Sequence, residues 1–327
     1  MENLIKKIKK FESKKILVIG NLILDQYTLG TSSSLSPEAP VPDIEVTEDR
    51  YNSGGAGNTA VNIKTLGSEP YLIGIIGADD LGKKLGLGLR NRYVGSSGIL
   101  CSGVTETLLI QRIVSSGQQI ARVKRNKQIP ETEEHSNHIC KEFYRNLESS
   151  DVVVISDYAK GTLSEQVIKE IISASREKNK QIIIDPKPQH ALAYKNASII
   201  TPNFKEACDM TGKKLELSVD NAAKLARILY KKLNLDIVLT IAEHGILLYN
   251  QDGKQHFPTH KREVRDVGGA GDTVVASLAV GLSNNLSLEE AVDFANHAGG
   301  VAVEKSGVQP VFLEEIIGDI ELHHNLK

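Results

Sequence analysis

Short β-branched apolar runs alternate with stretches of helical periodicity along most of the 327 residues. The apolar runs predict strands over Lys15–Leu24, Tyr71–Ile76, Asp151–Ile155, Gln181–Ile184, Ser198–Ile200, Asp236–Thr240 and Gly245–Tyr249. Apolar positions three and four apart predict helices near Asn58–Leu66, Leu81–Arg92, Glu131–Leu147, Ser164–Glu177, Val219–Leu233 and Ala270–Leu282. Ser287 and Glu290 form a capping box, which starts a further helix running towards Lys305. Strictly alternating elements of this kind predict an α/β, doubly wound, mostly parallel sheet with helices on both faces. Several strand runs are apolar almost throughout, as a sheet buried on both sides requires.

Two stretches, near residues 41–50 and 106–124, break the alternation. Val41–Thr47 and Glu106–Lys124 read as extended chain without a following helix, the second carrying Arg112 and Arg122. They predict a small β lid outside the main sheet. No repeat, low-complexity tract or Pro/Gly linker divides the chain, so residues 1–327 are expected to form a single domain.

Composition narrows the function classes. Lys and Arg total 39 against 41 Asp and Glu, a net charge of −2, which argues against a nucleic-acid binder with a clustered basic excess. The apolar run Ile16–Leu24 ends at Asp25 and is too short to cross a bilayer. A lysine-rich start precedes it, but no small-residue cleavage site follows. Leu4, Ile8 and Phe11 instead share one face of a helix. Cys101, Cys140 and Cys208 fit no zinc or redox spacing, which suggests reduced thiols and a cytoplasmic protein with no membrane partner.

Doubly wound sheets bind ligands at the carboxyl ends of their strands. Here those ends carry Asp25, then Asp157, Tyr158 and Lys160, then Asp185 and Lys187, then Asn203 and Glu206, then Thr240. Singly, each reads as a cap or turn residue. Together they predict one crevice holding carboxylates and amines, suited to a phosphorylated substrate and a metal-bound nucleotide.

Three glycine-rich stretches compete to cradle phosphate. Gly77–Lys84 reads G-x-x-x-x-G-K-K, but Lys84 stands where a P-loop needs Ser or Thr. Asp79 and Asp80 would also face the phosphate, so a strand-to-helix turn is the better reading. Gly55–Ala60 matches the dinucleotide fingerprint G-x-G-x-x-A, but polar residues separate it from the preceding extended segment. The third stretch, Asp266–Asp272, sits directly before a helical run. Gly269, Ala270 and Gly271 bring bare N–H groups to that helix's N-terminus, a ready anion site. Asp272 beside it would repel a phosphate, which makes sense if it takes a proton from an attacking hydroxyl. A plain helix-terminal charge is the alternative.

At this point the residues carry a resemblance. Asp266–Asp272 resembles the D-T-x-G-A-G-D signature of the ribokinase (phosphofructokinase-B-like) family of sugar kinases. Gly54 and Gly55 with Asn58 resemble its double-glycine motif, and Asn203–Glu206 its N-x-x-E motif. Ser36–Pro42, Gly117–Gln119, Ser156–Gly161, Asp185–Lys187 and Phe294–Asn296 are similar to the subgroup acting on D-glycero-D-manno-heptose 7-phosphate. The likeness runs from about residue 15 to 317.

The resemblance implies a ribokinase-like fold, an ATP- and Mg2+-dependent sugar kinase, and a homodimer formed through the lid. Asp272 would be the catalytic base, with the backbone of Gly269, Ala270 and Gly271 as the anion hole, at roughly 3–4 kcal/mol per donor. Asn203 and Glu206 would hold magnesium, Asn203 through water. Thr240, Gly245, Asn296 and Gly307 would line the nucleotide pocket. Asp25, Gly54, Gly55 and Asn58 would bind the sugar, and Arg112, Arg122, Lys160 and Lys187 a phosphate already on it. A monovalent cation would sit near Asp266.

Gly268 departs from the signature's Thr. Ile110 and Lys124 depart from the subgroup's lysine and acidic residue in the lid, which bears on the choice of sugar. His135, His138 and Cys140 have a faint metal-ligand flavour, yet read best as the polar face of an exposed helix. Three classes stay open: a kinase of a sugar phosphate or of a plain sugar such as ribose or fructose, an NAD-dependent oxidoreductase resting on Gly55–Ala60, and a kinase-like binding protein in which Asp272 does not catalyse.

Overall fold

The computed structural model describes residues 2–125 and 128–324; Met1, Asn126, Lys127 and residues 325–327 of the expected single domain lie outside the described residues. Its strands are β1 (Lys15–Gly20), β2 (Leu22–Leu35), β3 (Pro42–Gly55), β4 (Glu69–Gly77), β5 (Gly98–Ser102), β6 (Leu108–Ser115), β7 (Gln118–Arg125), β8 (Val152–Ser156), β9 (Gln181–Asp185), β10 (Ile199–Ile200), β11 (Asp236–Thr240), β12 (Ile246–Asn250) and β13 (Gly253–Phe257). Its helices are α1 (Glu2–Ile8), α2 (Ala56–Thr65), α3 (Asp80–Asn91), α4 (Glu133–Leu147) and α5 (Glu165–Glu177). They continue with α6 (Phe204–Thr211), α7 (Val219–Leu233), α8 (Ala270–Ser283), α9 (Leu288–Val303) and α10 (Leu313–His324).

Nine strands form one sheet in the order β13-β12-β11-β10-β9-β8-β1-β4-β5. Pairing is parallel from β11 to β5, and β12 and β13 add an antiparallel edge. Alternate residues of β1 explain the layers: Ile16 and Val18 face one apolar cluster with α2, α8 and α9, while Leu17 and Ile19 face another with α4, α5 and α7. Burial on both faces is why these strands read as unbroken apolar runs.

Helix starts are chemically marked. Thr132, Ser164, Ser218 and Ser287 each accept a hydrogen bond from the third residue onward, satisfying an N–H the helix leaves free. Asp79 does the same for α3 through Gly82 N (2.7 Å) and also accepts from Thr107 N and Oγ1. The Gly77–Lys84 stretch is therefore a capped strand-to-helix turn.

The predicted strand Lys15–Leu24 is two strands, split at Asn21. The fully buried Asn21 accepts from Tyr158 N, donates to Thr162 Oγ1, and its carbonyl accepts from Ala56 N. These bonds turn the chain out of the main sheet into a second one of order β3-β2-β6-β7. The predicted lid segments lie there. Val41–Thr47 belongs to the longer β3, and Glu106–Lys124 covers a hairpin whose turn residues Ser116 and Gly117 both have positive φ. Pattern reading missed β5, the polar edge strand β13, the short α6 and the C-terminal α10; at the N-terminus, α1 ends at Ile8, before Phe11.

The HxxH stretch needs correcting. His135 is buried, with Nδ1 2.8 Å from the Pro130 carbonyl and Nε2 2.9 Å from Ser102 Oγ, while His138 Nε2 lies 3.0 Å from the Gly98 carbonyl. These rings pin α4 to the strand edge rather than forming an exposed polar face. The dinucleotide-like Gly55–Ala60 also differs from expectation, because β3 runs directly into α2 with Gly55 as the cap.

Replacing Asp79 by Ala removes the α3 cap and the carboxylate that accepts from Thr107 N and Oγ1. The expected loss is about 1–2 kcal/mol of stability, read from the midpoint of urea unfolding.

Candidate active site

The carboxyl ends of β1, β8, β9 and β10 and the N-terminus of α8 meet beside the lid. The most constrained element is the start of α8. Gly269 caps it with φ of 80°, and a Cβ there would meet Asn58 Nδ2 at 2.7 Å, so only glycine fits. No side chain caps the first turn. Apart from a long 3.4 Å bond from Ala270 N to the Val267 carbonyl, its first N–H groups and its dipole are left for a ligand.

Asp272, in that first turn, is buried. Asn58 Nδ2 donates to its Oδ2 at 2.8 Å, and Tyr158 Oη donates to its Oδ1 at 3.0 Å. Burial pushes the carboxyl up to about 6, against the two hydrogen bonds, which pull it down. The carboxyl is thus held by neutral donors from α2 and from the loop after β8. Tyr158 itself is pushed well above the ordinary tyrosine range by burial and by Asp272. It acts as a hydrogen-bond donor.

Lys187 joins this centre from the turn after β9. Its Nζ donates to Glu206 Oε1 and lies 5.0 Å from the centre of the Tyr158 ring. Burial alone would lower the ammonium, but Asp185 and Glu206 hold it above its ordinary value. Asp185 is pushed well above the carboxylate range by burial, which Lys187 opposes and Asp272, Glu206 and Asp157 reinforce. Asn203 and Glu206 form the reciprocal capping box of α6: Glu206 N donates to Asn203 Oδ1, and Asn203 N to Glu206 Oε2. The N-x-x-E stretch thus has a structural task as well as its place in the crevice.

On the lid side, Asp25 and Arg112 are both buried and form an ion pair, with Arg112 Nη1 on Asp25 Oδ1. Arg112, expected to meet a substrate phosphate, is already neutralised by the residue expected to meet the sugar. A Cβ on Gly54 would meet Asp25 Oδ2 at 2.2 Å, which explains the first glycine of the pair. Gly55 caps α2, and so aims Asn58 at Asp272. Arg122 is the exposed cross-strand partner of Arg112. Lys160 is half-buried on the loop after β8 and makes no ion pair among the described residues.

Thr240 bridges to Asn203 at the end of β11. Gly245 packs against Phe257, Pro258 and Thr259, and Asn296 Nδ2 donates to the Pro258 carbonyl at 3.0 Å. These three therefore gather around the strand end and the segment after β13. Gly307 does not join them: it faces the Tyr27 ring, next to Val308, which touches Gly268 and Gly269. Asp266 Oδ1 accepts from Gly268 N at 2.8 Å, and its Oδ2 from Tyr27 Oη at 3.3 Å.

Sequence reasoning placed Tyr158 and Asp185 in the crevice without giving either a role, and did not name Tyr27. The first two stood at strand ends, which was the available signal. Tyr27 lies in the stretch where the strand prediction had already stopped.

The family model described as pfkB family carbohydrate kinase matches residues 13–315. A relative described as bifunctional protein HldE, from Gluconobacter oxydans, is 40% identical over 312 residues, covering 94% of this chain and 65% of the relative. A protein of the same description from Helicobacter pylori is 39% identical over 304 residues, covering 93% of this chain and 65% of its own. The chain thus spans about 65% of the length of these curated relatives. Among solved structures, phosphofructokinase-2 from Escherichia coli superposes with a TM-score of 0.78 at 21% identity, covering 95% of this chain and 99% of that one. Ribokinase from Thermotoga maritima gives 0.71 at 22% identity, with 94% and 99% covered, a likeness of fold. With its family model spanning nearly the whole chain and its fold matching, this chain belongs to the pfkB family of carbohydrate kinases.

Proposed function

We propose that this chain is an ATP-dependent kinase acting on a sugar phosphate, D-glycero-D-manno-heptose 7-phosphate, to give the 1,7-bisphosphate. One observation carries the reading: a buried carboxylate, raised to about 6, beside an uncapped helix N-terminus. A carboxylate alone would repel ATP, and bare N–H groups alone would only bind it. Side by side they activate an alcohol and receive the phosphoryl group it attacks.

Asp272 takes the proton from the sugar hydroxyl as the oxygen approaches phosphorus. The N–H groups of Gly269, Ala270 and Gly271 stabilise negative charge on the transferred group. Asn58 and Tyr158 hold the carboxylate in line, and Asp25 accepts hydroxyls of the sugar over Gly54. Lys187, Lys160, Arg112 and Arg122 are the candidates to meet the phosphate already on the substrate; Arg112 would do so while paired with Asp25. Thr240, Gly245 and Asn296 line the nucleotide side, and Gly307 closes the cradle near Tyr27.

The donor set fits a divalent cation: Asp185, Glu206 and Asp272 all act on the single ammonium of Lys187, which leaves the crevice short of positive charge. Magnesium would be held by Glu206 and, through water, by Asn203, and supplies neutralisation of phosphate charge when bound. Asp266 is the proposed neighbour of a monovalent cation. The lid is the proposed dimer surface, since Leu35, Val41, Val46, Ile120 and Val123 expose apolar side chains on or beside its strands.

The likeness to HldE supports the heptose substrate. The dinucleotide reading of Gly55–Ala60 finds no support, because Asn58 is turned to Asp272 and the chain is a carbohydrate kinase. A coupled ADP-release assay should show heptose 7-phosphate preferred over fructose phosphates and ribose. Activity confined to an unphosphorylated sugar overturns the substrate assignment.

Asp272→Asn should lower kcat by about 10²–10⁴-fold with ATP affinity kept, by calorimetric titration. Unchanged turnover removes Asp272 from the base role. Because the reactive form is the deprotonated carboxylate, kcat/KM should be flat above pH ~6 and fall by about tenfold per unit below it. A profile without that break, in a protein still folded by circular dichroism, contradicts the assignment.

A further inference from the structure

Away from the crevice, three of the chain's 9 histidines converge. His260 lies in the segment after β13, His297 on α9 and His323 in the last turn of α10. One ligand nitrogen of each lies within 4.8 Å of the others. The His260 and His323 rings stack at 3.8 Å between centroids, and the His297 ring is 5.7 Å and 6.2 Å from them. The kinase reaction proposed above uses none of the three.

Their hydrogen bonds prepare them as ligands. His297 Nδ1 lies 2.6 Å from Asp319 Oδ2, and His323 Nδ1 lies 2.8 Å from the Asp319 carbonyl. Both partners are acceptors, so Nδ1 carries the proton on each ring and Nε2 keeps its lone pair in the neutral imidazole. Asp319 is fixed in turn by Arg262, whose Nη1 and Nη2 donate to its two oxygens at 2.8 and 2.7 Å. A carboxylate behind a histidine is the usual support of a metal-bound imidazole. The His260 ring makes no hydrogen bond to protein among the described residues. Asp293, one turn before His297 on α9, places Oδ1 4.0 Å from His297 Nε2.

We infer that His260, His297 and His323 form a zinc site. Three imidazoles suit a borderline cation of tetrahedral preference, with the fourth position open to water. Zinc–nitrogen bonds of ~2.0–2.1 Å bring donor atoms to ~3.3 Å of one another. From separations of up to 4.8 Å that asks for at most about 1.5 Å of closure, which the partly exposed His260 ring, held by no hydrogen bond among the described residues, can supply by rotating. The magnesium expected in the crevice prefers oxygen ligands and does not compete. Bound zinc ties α10 and α9 to the segment that leads into Asp266 and the cradle. That segment already leans on α9, since Arg265 N and Asp266 N both donate to the Val303 carbonyl. The inference concerns a second metal and stands whether or not the proposed sugar is the substrate.

The test uses the full chain without a polyhistidine tag, stripped with a chelator and kept in excess magnesium. Zinc is titrated against a chromophoric competitor, and cobalt(II) is substituted as a spectroscopic probe. The expected result is one zinc per chain, visible d–d absorption of tetrahedral cobalt, and a higher melting temperature with zinc. His260→Ala and His323→Ala, chosen because neither ring is fully buried, should each weaken zinc by about 100-fold or more and abolish the cobalt bands. Metal-free melting curves of the variants show that they remain folded. No zinc uptake at micromolar concentration overturns the inference, as does uptake unchanged in both histidine variants.

Discussion

A carboxylate cannot be buried at the start of a helix unless something offsets its desolvation. The Asp272 carboxylate meets this constraint through neutral donors on either oxygen, Asn58 from α2 and Tyr158 from the loop after β8. Much of the surrounding architecture follows from keeping those donors in place. Gly55 caps α2, Asn21 holds the starts of both supporting segments, and Gly269 leaves room for the Asn58 amide. Each contact is modest in energy, yet together they determine one geometry.

The same centre is electrostatically unfinished. Asp185, Glu206 and Asp272 converge on one ammonium, and burial holds Asp185 well above its ordinary range. A crevice so charged gains from a cation and a phosphorylated ligand arriving together, since each neutralises part of the other. The lid handles its own charges differently. Asp25 and Arg112 are paired and buried there, a form in which removing either partner leaves an uncompensated charge. The catalytic side is thus incomplete without ligands, while the lid side is internally neutral.

Much of this was legible in the chain. Helix boundaries such as Val219–Leu233 came within a few residues, because apolar periodicity and a Ser cap are both local signals. The start of α8 was equally readable, since glycines followed by an acidic residue mark a helix N-terminus. The strand through Asn21 was misjudged for a physical reason: nothing local distinguishes a strand that continues from one that changes sheets. Arg112 looked like a free cation and His135 like part of an exposed polar face because pairing and burial are set by chain segments far away in sequence.

The order of amino acids alone determined the alternation of strands and helices and the glycine-led start of α8 with its acid, because these depend on neighbours within a turn or two. The folded chain decided which partner each polar group would have: Asp25 with Arg112, Lys187 with Glu206, His260 beside His297 and His323. Such pairs join residues 19 to 87 positions apart. Their energies depend on how much water is excluded around them, and only the packed sheets and helices set that.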